Sequence, residues 1–147
     1  MDIIFDIDGT LMDISHRKHF VDGVFGDKKD WQAFKNATIK DTPIDMICTM
    51  AIMLHADMNR IILVSGRNES ERWITEKQME ASGIIYDTLV MRPNDDYDPD
   101  HILKSRILDA LIDEGYDPKM VFDDRDAVVK MWRDRGLTCL QVAEGNF

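Results

Sequence analysis

Residues 2–11 read Asp-Ile-Ile-Phe-Asp-Ile-Asp-Gly-Thr-Leu, and no other stretch restricts the fold as much. Ile3, Ile4, Phe5 and Ile7 form a nearly continuous apolar run, the pattern of a strand covered on both faces in a parallel sheet. The run ends in two carboxylates, Asp6 and Asp8, and then Gly9, which lets the backbone turn where a side chain would obstruct. Ligands of open α/β sheets bind at the carboxyl ends of the strands, so both aspartates arrive at the active edge. One carboxylate can attack an electrophile there while its neighbour handles protons, with a cation offsetting their charges. A helix cap or a plain turn accounts for one Asp, not for Asp-x-Asp-Gly-Thr as a unit. Four fixed positions arise by chance in roughly one chain in a thousand of this length, which makes the signal specific.

The remaining segments supply the rest of an α/β layer structure. Residues 60–64, 88–91, 120–122 and 137–142 are further short apolar runs that read as strands. A helix is expected to start with Thr42 as N-cap, Pro43 at the first helical position and Asp45 in the first turn. Ile44, Ile47, Cys48, Ala51, Leu54 and Met58 then recur at helical spacing. A polar helix follows Ser65-Gly66-Arg67 and closes at Gly83. Residues 99–114 form another, ended by Gly115, with Leu103, Ile107, Ala110 and Leu111 inward; residues 125–135 form the last, stopped by Gly136. Strands alternating with helices imply right-handed βαβ units. The expected fold is α/β: a doubly wound parallel five-stranded sheet in one domain, 1–147, with residues 12–41 as a small helical insertion. Within it residues 15–20 and 30–35 read as short helices, with Asp22-Gly23 and Gly26-Asp27 as loop. An irregular insert directly after the catalytic loop is placed to act as a lid.

Composition narrows the partners. Apolar content of 44% and charged content of 31% are those of a globular protein rather than a disordered one. The net charge of −10 makes the chain a poor general binder of polyanions; recognition of one phosphate and its surroundings is expected instead, helped by a metal. With a strand beginning at residue 2 and no long apolar run, neither signal peptide nor membrane span is expected. Cys48 and Cys139 form no Cys-x-x-Cys pair and read as buried thiols of a cytoplasmic protein.

Polar groups gather at the strand ends: Asp6 and Asp8 after the first, Ser65 and Arg67 after the second, Arg92 after the third, Asp123-Asp124 after the fourth. Lys104 lies in the helix after the third strand. Ser65 can donate to a phosphate oxygen, ahead of amides that open a helix suited to anions. Arg67 and Arg92 can grip phosphate by paired hydrogen bonds, Lys104 can offset charge, and Asp124 with Asp6 can hold Mg²⁺. Each has a duller reading. The two arginines are ordinary surface charges, Asp100 and Lys104 an i,i+4 pair worth ~0.3–0.5 kcal/mol, and Asp123-Asp124 a helix cap. Their joint placement at one sheet edge favours chemistry. His16 and His19 lack a third ligand and are expected to contact substrate or pack the lid. Trp31, Phe34 and Phe20 can stack a base, though packing of the insert is the simpler expectation. Trp132 falls with Val128 and Val129 on an apolar face, and belongs to the core.

Asp6-Ile7-Asp8-Gly9-Thr10, Val64-Ser65-Gly66-Arg67, Lys104 and Asp123-Asp124, in this order, resemble the four motifs of the haloacid dehalogenase superfamily of phosphotransferases. His16-Arg17, Asp30-Trp31…Phe34, Met91-Arg92…Asp100…Lys104 and the tail from Phe122 onward further resemble the 3′-phosphatase domain of phage polynucleotide kinase/phosphatase. The resemblance implies a HAD-like sheet, a phosphatase removing a terminal 3′-phosphate from a nucleic-acid end or nucleotide, and Mg²⁺ as cofactor. It implies Asp6 as nucleophile through an aspartyl-phosphate, and Asp8 as general acid and then base. It further implies a metal site of Asp6, Asp8, Asp123 and Asp124, with Asp124 the direct ligand and Asp123 close by it. Ser65, Gly66, Arg67 and Lys104 meet the phosphate, and Arg17, Arg92 and Asp100 match further functional positions. No Gly-x-x-x-x-Gly-Lys-Ser/Thr stretch is present, so no kinase domain is expected, and any kinase or ligase step needs a partner chain. Rival expectations are a phosphatase of mononucleotides or small phosphomonoesters, a phospho-acceptor switch domain, and a silent partner subunit.

Overall fold

The computed structural model describes residues 1–23 and 28–147; Gly26-Asp27, read above as loop, lie outside the described residues. In chain order the strands are β1 (Asp2–Phe5), β2 (Met12–Asp13), β3 (Thr42–Pro43), β4 (Arg60–Asn68), β5 (Thr88–Arg92), β6 (Pro118–Asp123) and β7 (Thr138–Gln141). The α-helices are α1 (Trp31–Asn36), α2 (Asp45–Ala56), α3 (Arg72–Ala81), α4 (Asp100–Asp113) and α5 (Asp126–Asp134). Five strands form one sheet in the order β5-β4-β1-β6-β7, and every pairing in it is parallel. The chain winds outward from β1 through β4 to β5, then returns to the far side of β1 for β6 and β7. Winding therefore reverses between β1 and β6, where Asp6 and Asp123 sit at adjacent strand ends, the position at which such sheets bind ligands.

Side-chain alternation divides the core into two layers. Ile3, Phe5, Ile61 and Leu63 point to one face and pack with Cys48 and Ala51 of α2 and Met79 of α3. Ile4, Ile62, Val64 and Val121 point to the other and pack with Leu103, Ile107, Leu108 and Leu111 of α4 and Val128, Val129 and Trp132 of α5. Phe5 and Phe122 stack with ring centroids 4.4 Å apart, tying β1 to β6 beneath the site. Trp132 is wholly buried, as its apolar face predicts. Both cysteines are buried and unpaired. No helix among the described residues is long and apolar enough to cross a membrane.

The departures are local. Thr42-Pro43 does not open a helix: Thr42 pairs with Asp13 and Pro43 with Met12, antiparallel. The returning chain must run beside the departing one at the base of the insert, so that pairing overrides the capping pattern. Helix α2 starts at Asp45, without a side-chain cap. Met58 lies beyond the end of α2 in the left-handed region, φ 66°, exposed. Ala110 is exposed, and Leu108 takes the inward place assigned to it. Ser65-Gly66-Arg67 stays in strand, since β4 continues to Asn68; the helix start lies beyond them, at a 3₁₀ turn over Glu69–Glu71 that Asn68 caps and that leads into α3 at Arg72. In the insert, residues 18–20 make a single 3₁₀ turn and α1 follows Asp30, whose carboxylate accepts from the Ala33 amide at 3.0 Å.

Candidate active site

Beyond Phe5 the chain turns out of the sheet over Gly9. The amides of Thr10, Leu11 and Met12 all converge on the Ile7 carbonyl at 2.9–3.1 Å. Gly9 has φ +83°, and a Cβ there would lie 2.1 Å from Asp124 Oδ2, so both conformation and space require glycine. The turn leaves Asp6 buried, 5% exposed, with Oδ1 accepting from Lys104 Nζ at 2.8 Å and Oδ2 from Thr10 Oγ1 at 3.1 Å. Burial raises its pKa well above the ordinary carboxylate range; the Lys104 charge opposes this, while Asp123 and Asp124 add to it. Lys104 comes from α4 and also donates to Asp123 Oδ2 at 3.0 Å. Burial works against its charge, yet Asp123 and Asp6 hold its pKa above that of a free lysine.

Asp123 accepts hydrogen bonds at both carboxylate oxygens. Its Oδ2 also accepts from Trp132 Nε1 at 3.1 Å, and its Oδ1 accepts from the Asp124 amide at 2.8 Å. Asp124 differs: its Oδ2 is buried and, among the described residues, has no hydrogen-bond partner. Burial, then the neighbouring Asp123, push its pKa up to about 6. Oxygens of Asp6, Asp123 and Asp124 lie within 4.8 Å of one another. Three hard carboxylate ligands around one orphaned oxygen fit Mg²⁺, which takes a few carboxylates and fills its remaining positions with water or phosphate oxygen. Asp8 stands outside this cluster. Its Oδ1 accepts from Arg67 Nε at 2.8 Å and Arg17 Nη2 at 3.0 Å. Burial acts to raise the Asp8 pKa, but Arg67 and Arg17 outweigh it and keep the group below the ordinary range.

Behind the two guanidiniums lies a residue that the spacing of charges did not reveal. Asp41, at the end of the insert, has a fully buried side chain. Its Oδ1 accepts from Arg17 Nε at 2.7 Å and lies 2.7 Å from His16 Nε2. Its Oδ2 accepts from Arg17 Nη2 at 2.7 Å and Arg67 Nη2 at 3.0 Å. Arg67 is further fixed by Gln78 Oε1 at 2.6 Å and Thr75 Oγ1 at 3.0 Å, both on α3. An aspartate just before Thr-Pro reads as turn chemistry, and only the fold brings it under two arginines. His16 is thereby a partner of Asp41, not a member of the acidic cluster.

A cavity of about 670 Å³ opens over these groups. Asp6, Asp8, Arg17, Gly66, Arg67, Arg92, Asp100, Lys104, Asp123 and Asp124 all line it. Ser65 does not: it is buried, and its Oγ accepts from the Arg67 amide at 3.0 Å. Arg92 reaches the cavity with its donors already engaged by the carbonyls of Gly66, Asp96 and Asp98 and by Asp100 Oδ1. It organises the loop before α4 instead of offering a free fork. Asp100 also accepts from Arg125 Nη1 at 3.1 Å, so it does not form the i,i+4 pair with Lys104. The insert adds Ile14, Trp31, Phe34 and Lys35 to the lining.

Comparison with known proteins agrees with this arrangement. A haloacid dehalogenase-type family described as the polynucleotide kinase PNKP phosphatase domain matches residues 1–147. A proposed bifunctional polynucleotide kinase/RNA ligase of Autographa californica nuclear polyhedrosis virus is 30% identical over 138 residues, 90% of this chain but 18% of the viral protein. A chain of the Pnkp1/Rnl/Hen1 complex superposes with a TM-score of 0.83 at 31% identity, over 99% of this chain and 46% of that one. A second structure of that RNA repair complex gives 0.84 at 30%, over 99% and 43%. This chain thus spans less than half the length of these relatives. A haloacid dehalogenase-like hydrolase of Streptococcus pneumoniae shares the fold, with a TM-score of 0.66 at 14% identity over 95% of this chain and 83% of its own. Matched from end to end by one family and 30% identical to a relative over nine-tenths of its length, the chain belongs to the polynucleotide kinase PNKP phosphatase-domain family of haloacid dehalogenase-type hydrolases.

Proposed function

We propose that the protein is a Mg²⁺-dependent phosphatase that removes a terminal 3′-phosphate from a nucleic-acid end or nucleotide. The observation that carries this reading is Asp6 at the tip of β1, between Lys104 and the unpartnered Asp124 Oδ2. Asp6 attacks phosphorus, the ester P–O bond breaks, and Asp8 gives a proton to the departing oxygen. Water then attacks the aspartyl-phosphate, Asp8 takes its proton, and inorganic phosphate leaves with Asp6 restored. Arg17 and Arg67 hold Asp8 as a carboxylate. An incoming phosphate competes for both guanidiniums, and Asp8, released from them, takes up a proton from solvent before it gives that proton to the departing oxygen. Lys104 stays on Asp6 and reduces repulsion between that carboxylate and the phosphate dianion. A Mg²⁺ held by Asp6, Asp124 and Asp123 would neutralise charge on the transferring phosphoryl group. Residues 12–41 serve as the lid, since Arg17, Trp31 and Phe34 line the same cavity as Asp6. Kinship with a chain of the Pnkp1/Rnl/Hen1 RNA repair complex supports a ligase partner.

One observation favours the rival substrate class: the net charge of −10 disfavours a long polyanion. The deciding experiment measures phosphate release from a 3′-phosphorylated oligonucleotide and from 3′- and 5′-mononucleotides, with Mg²⁺ or EDTA, beside Asp6→Asn. The expected result is Mg²⁺-dependent turnover on the 3′-phosphates, abolished by Asp6→Asn. Preference for the 5′-mononucleotide overturns the substrate assignment, and full turnover by Asp6→Asn overturns the mechanism.

A further inference from the structure

The chain's charge is unevenly divided. Residues 12–41 carry six Lys and Arg against five Asp and Glu, a net +1, whereas the remainder carries 12 against 23, a net −11 of the total −10. The insert is therefore the least acidic part of the chain. It also presents a continuous ladder of cations and rings leading away from Asp8. Arg17, on Asp8 at 3.0 Å, has its guanidinium 4.1 Å from the centre of the Phe34 ring. Phe34 meets Trp31 edge to face at 5.8 Å. Lys29 Nζ stands 5.5 Å from the Trp31 ring centre. Lys29, Trp31 and Phe34 all line the cavity, yet Trp31 remains 54% exposed. Packing of the insert accounts for Phe34, which is half-buried beneath Arg17. It does not account for a tryptophan held by one edge contact at a cavity wall with much of its surface in water.

We propose that Trp31 is a stacking platform for the base of the terminal nucleotide, and that Lys29 binds the phosphodiester next to it. This rests on the phosphatase reading above and assigns the part of the leaving group that the catalytic residues do not touch. A phosphate at Arg17 has its sugar directed along the ladder, and an aromatic face accepts any base, so the subsite selects nucleic-acid ends without reading sequence. The neighbouring phosphodiester finds a cation at Lys29.

The test compares kcat and KM on four phosphate monoesters: a 3′-phosphorylated oligonucleotide, the same oligonucleotide with an abasic terminal sugar, a nucleoside 3′-monophosphate, and p-nitrophenyl phosphate. Wild type is expected to prefer the base-bearing end over the abasic one by roughly tenfold in kcat/KM, mainly through KM. Trp31→Ala removes that preference and Trp31→Phe restores most of it. Lys29→Ala raises KM for the oligonucleotide more than for the mononucleotide, and weakens its dependence on salt. Equal use of the two ends by wild type, or an undiminished preference in Trp31→Ala, overturns the proposal. Should Trp31→Ala fail to fold, the wild-type comparison still decides it. Turnover of p-nitrophenyl phosphate without turnover of any 3′-phosphorylated nucleotide refutes instead the underlying nucleic-acid reading.

Discussion

Asp41 accepts hydrogen bonds from both arginines that meet Asp8, and its own side chain is wholly shielded from water. Removing its charge takes away the anchor that positions the two buried guanidiniums and leaves Asp8 as their remaining anion, so they bind Asp8 more tightly and are less available to a phosphate. Asp41→Asn is expected to lower kcat/KM on the order of 10–100-fold, as misplacing groups remote from the chemistry does. Combined with Arg17→Lys the losses should be less than additive; fully additive losses in the double mutant would show that Asp41 does not act through Arg17. Asp124 makes the opposite case. Its buried Oδ2 has no partner among the described residues and lies beside two other carboxylates. Asp124→Asn is expected to raise metal-free stability by about 1 kcal/mol and to lack the rise in Tm expected of wild type with Mg²⁺. Thermal unfolding with EDTA and with Mg²⁺ measures both, and a metal-free Asp124→Asn less stable than wild type counts against repulsion as the governing effect.

Among the elements, β1 determines the site, and its start is held as firmly as its end. Asp2 accepts from Arg60 Nε and Nη2 at 2.6 and 2.7 Å and from the Asp117 amide at 2.7 Å, which ties β1 to its neighbours β4 and β6. The hydrogen bonds from Arg60 lower the Asp2 pKa; partial burial opposes them and the Asp117 amide assists. A carboxyl depressed in the folded state stabilises the fold above its unfolded pKa. That contribution disappears as pH falls through the folded value. Asp2→Asn should therefore cost about 1 kcal/mol near neutrality, modest because the Arg60 side chain is half exposed. The gap from wild type should close as the solution is taken below roughly pH 4; a gap that persists at pH 2 would assign the loss to packing. The same scale shows where pattern reading went astray. Thr42-Pro43 carries every local mark of a helix start, and antiparallel pairing with Met12–Asp13 claims it for β3.

Taken whole, the molecule keeps its sensitive groups in its two core layers. Burial, then Asp123, push the Cys139 thiol up to about 12, and burial raises Cys48, whose Sγ donates to the Leu11 carbonyl at 3.4 Å. Neither thiol is expected to react with Ellman's reagent in the native protein, and both should react once denaturant opens the sheet. Reaction of either at the rate of free cysteine without unfolding would contradict that packing. The sequence by itself determined the architecture, because apolar runs of strand length alternating with helical periods admit few arrangements other than a doubly wound sheet. It also determined the acidic motif, because Asp-x-Asp-Gly-Thr is a local unit whose glycine and carboxylates are adjacent along the chain. Only the tertiary structure decided how the charges pair. It alone set Asp41 beneath Arg17 and Arg67, turned Arg92 to a loop, withdrew Ser65 behind the cavity and left Asp124 Oδ2 without a hydrogen-bond partner among the described residues. The Asp41 contacts join residues 24 and 26 positions apart, and Lys104 meets Asp6 across 98, separations that no local pattern encodes.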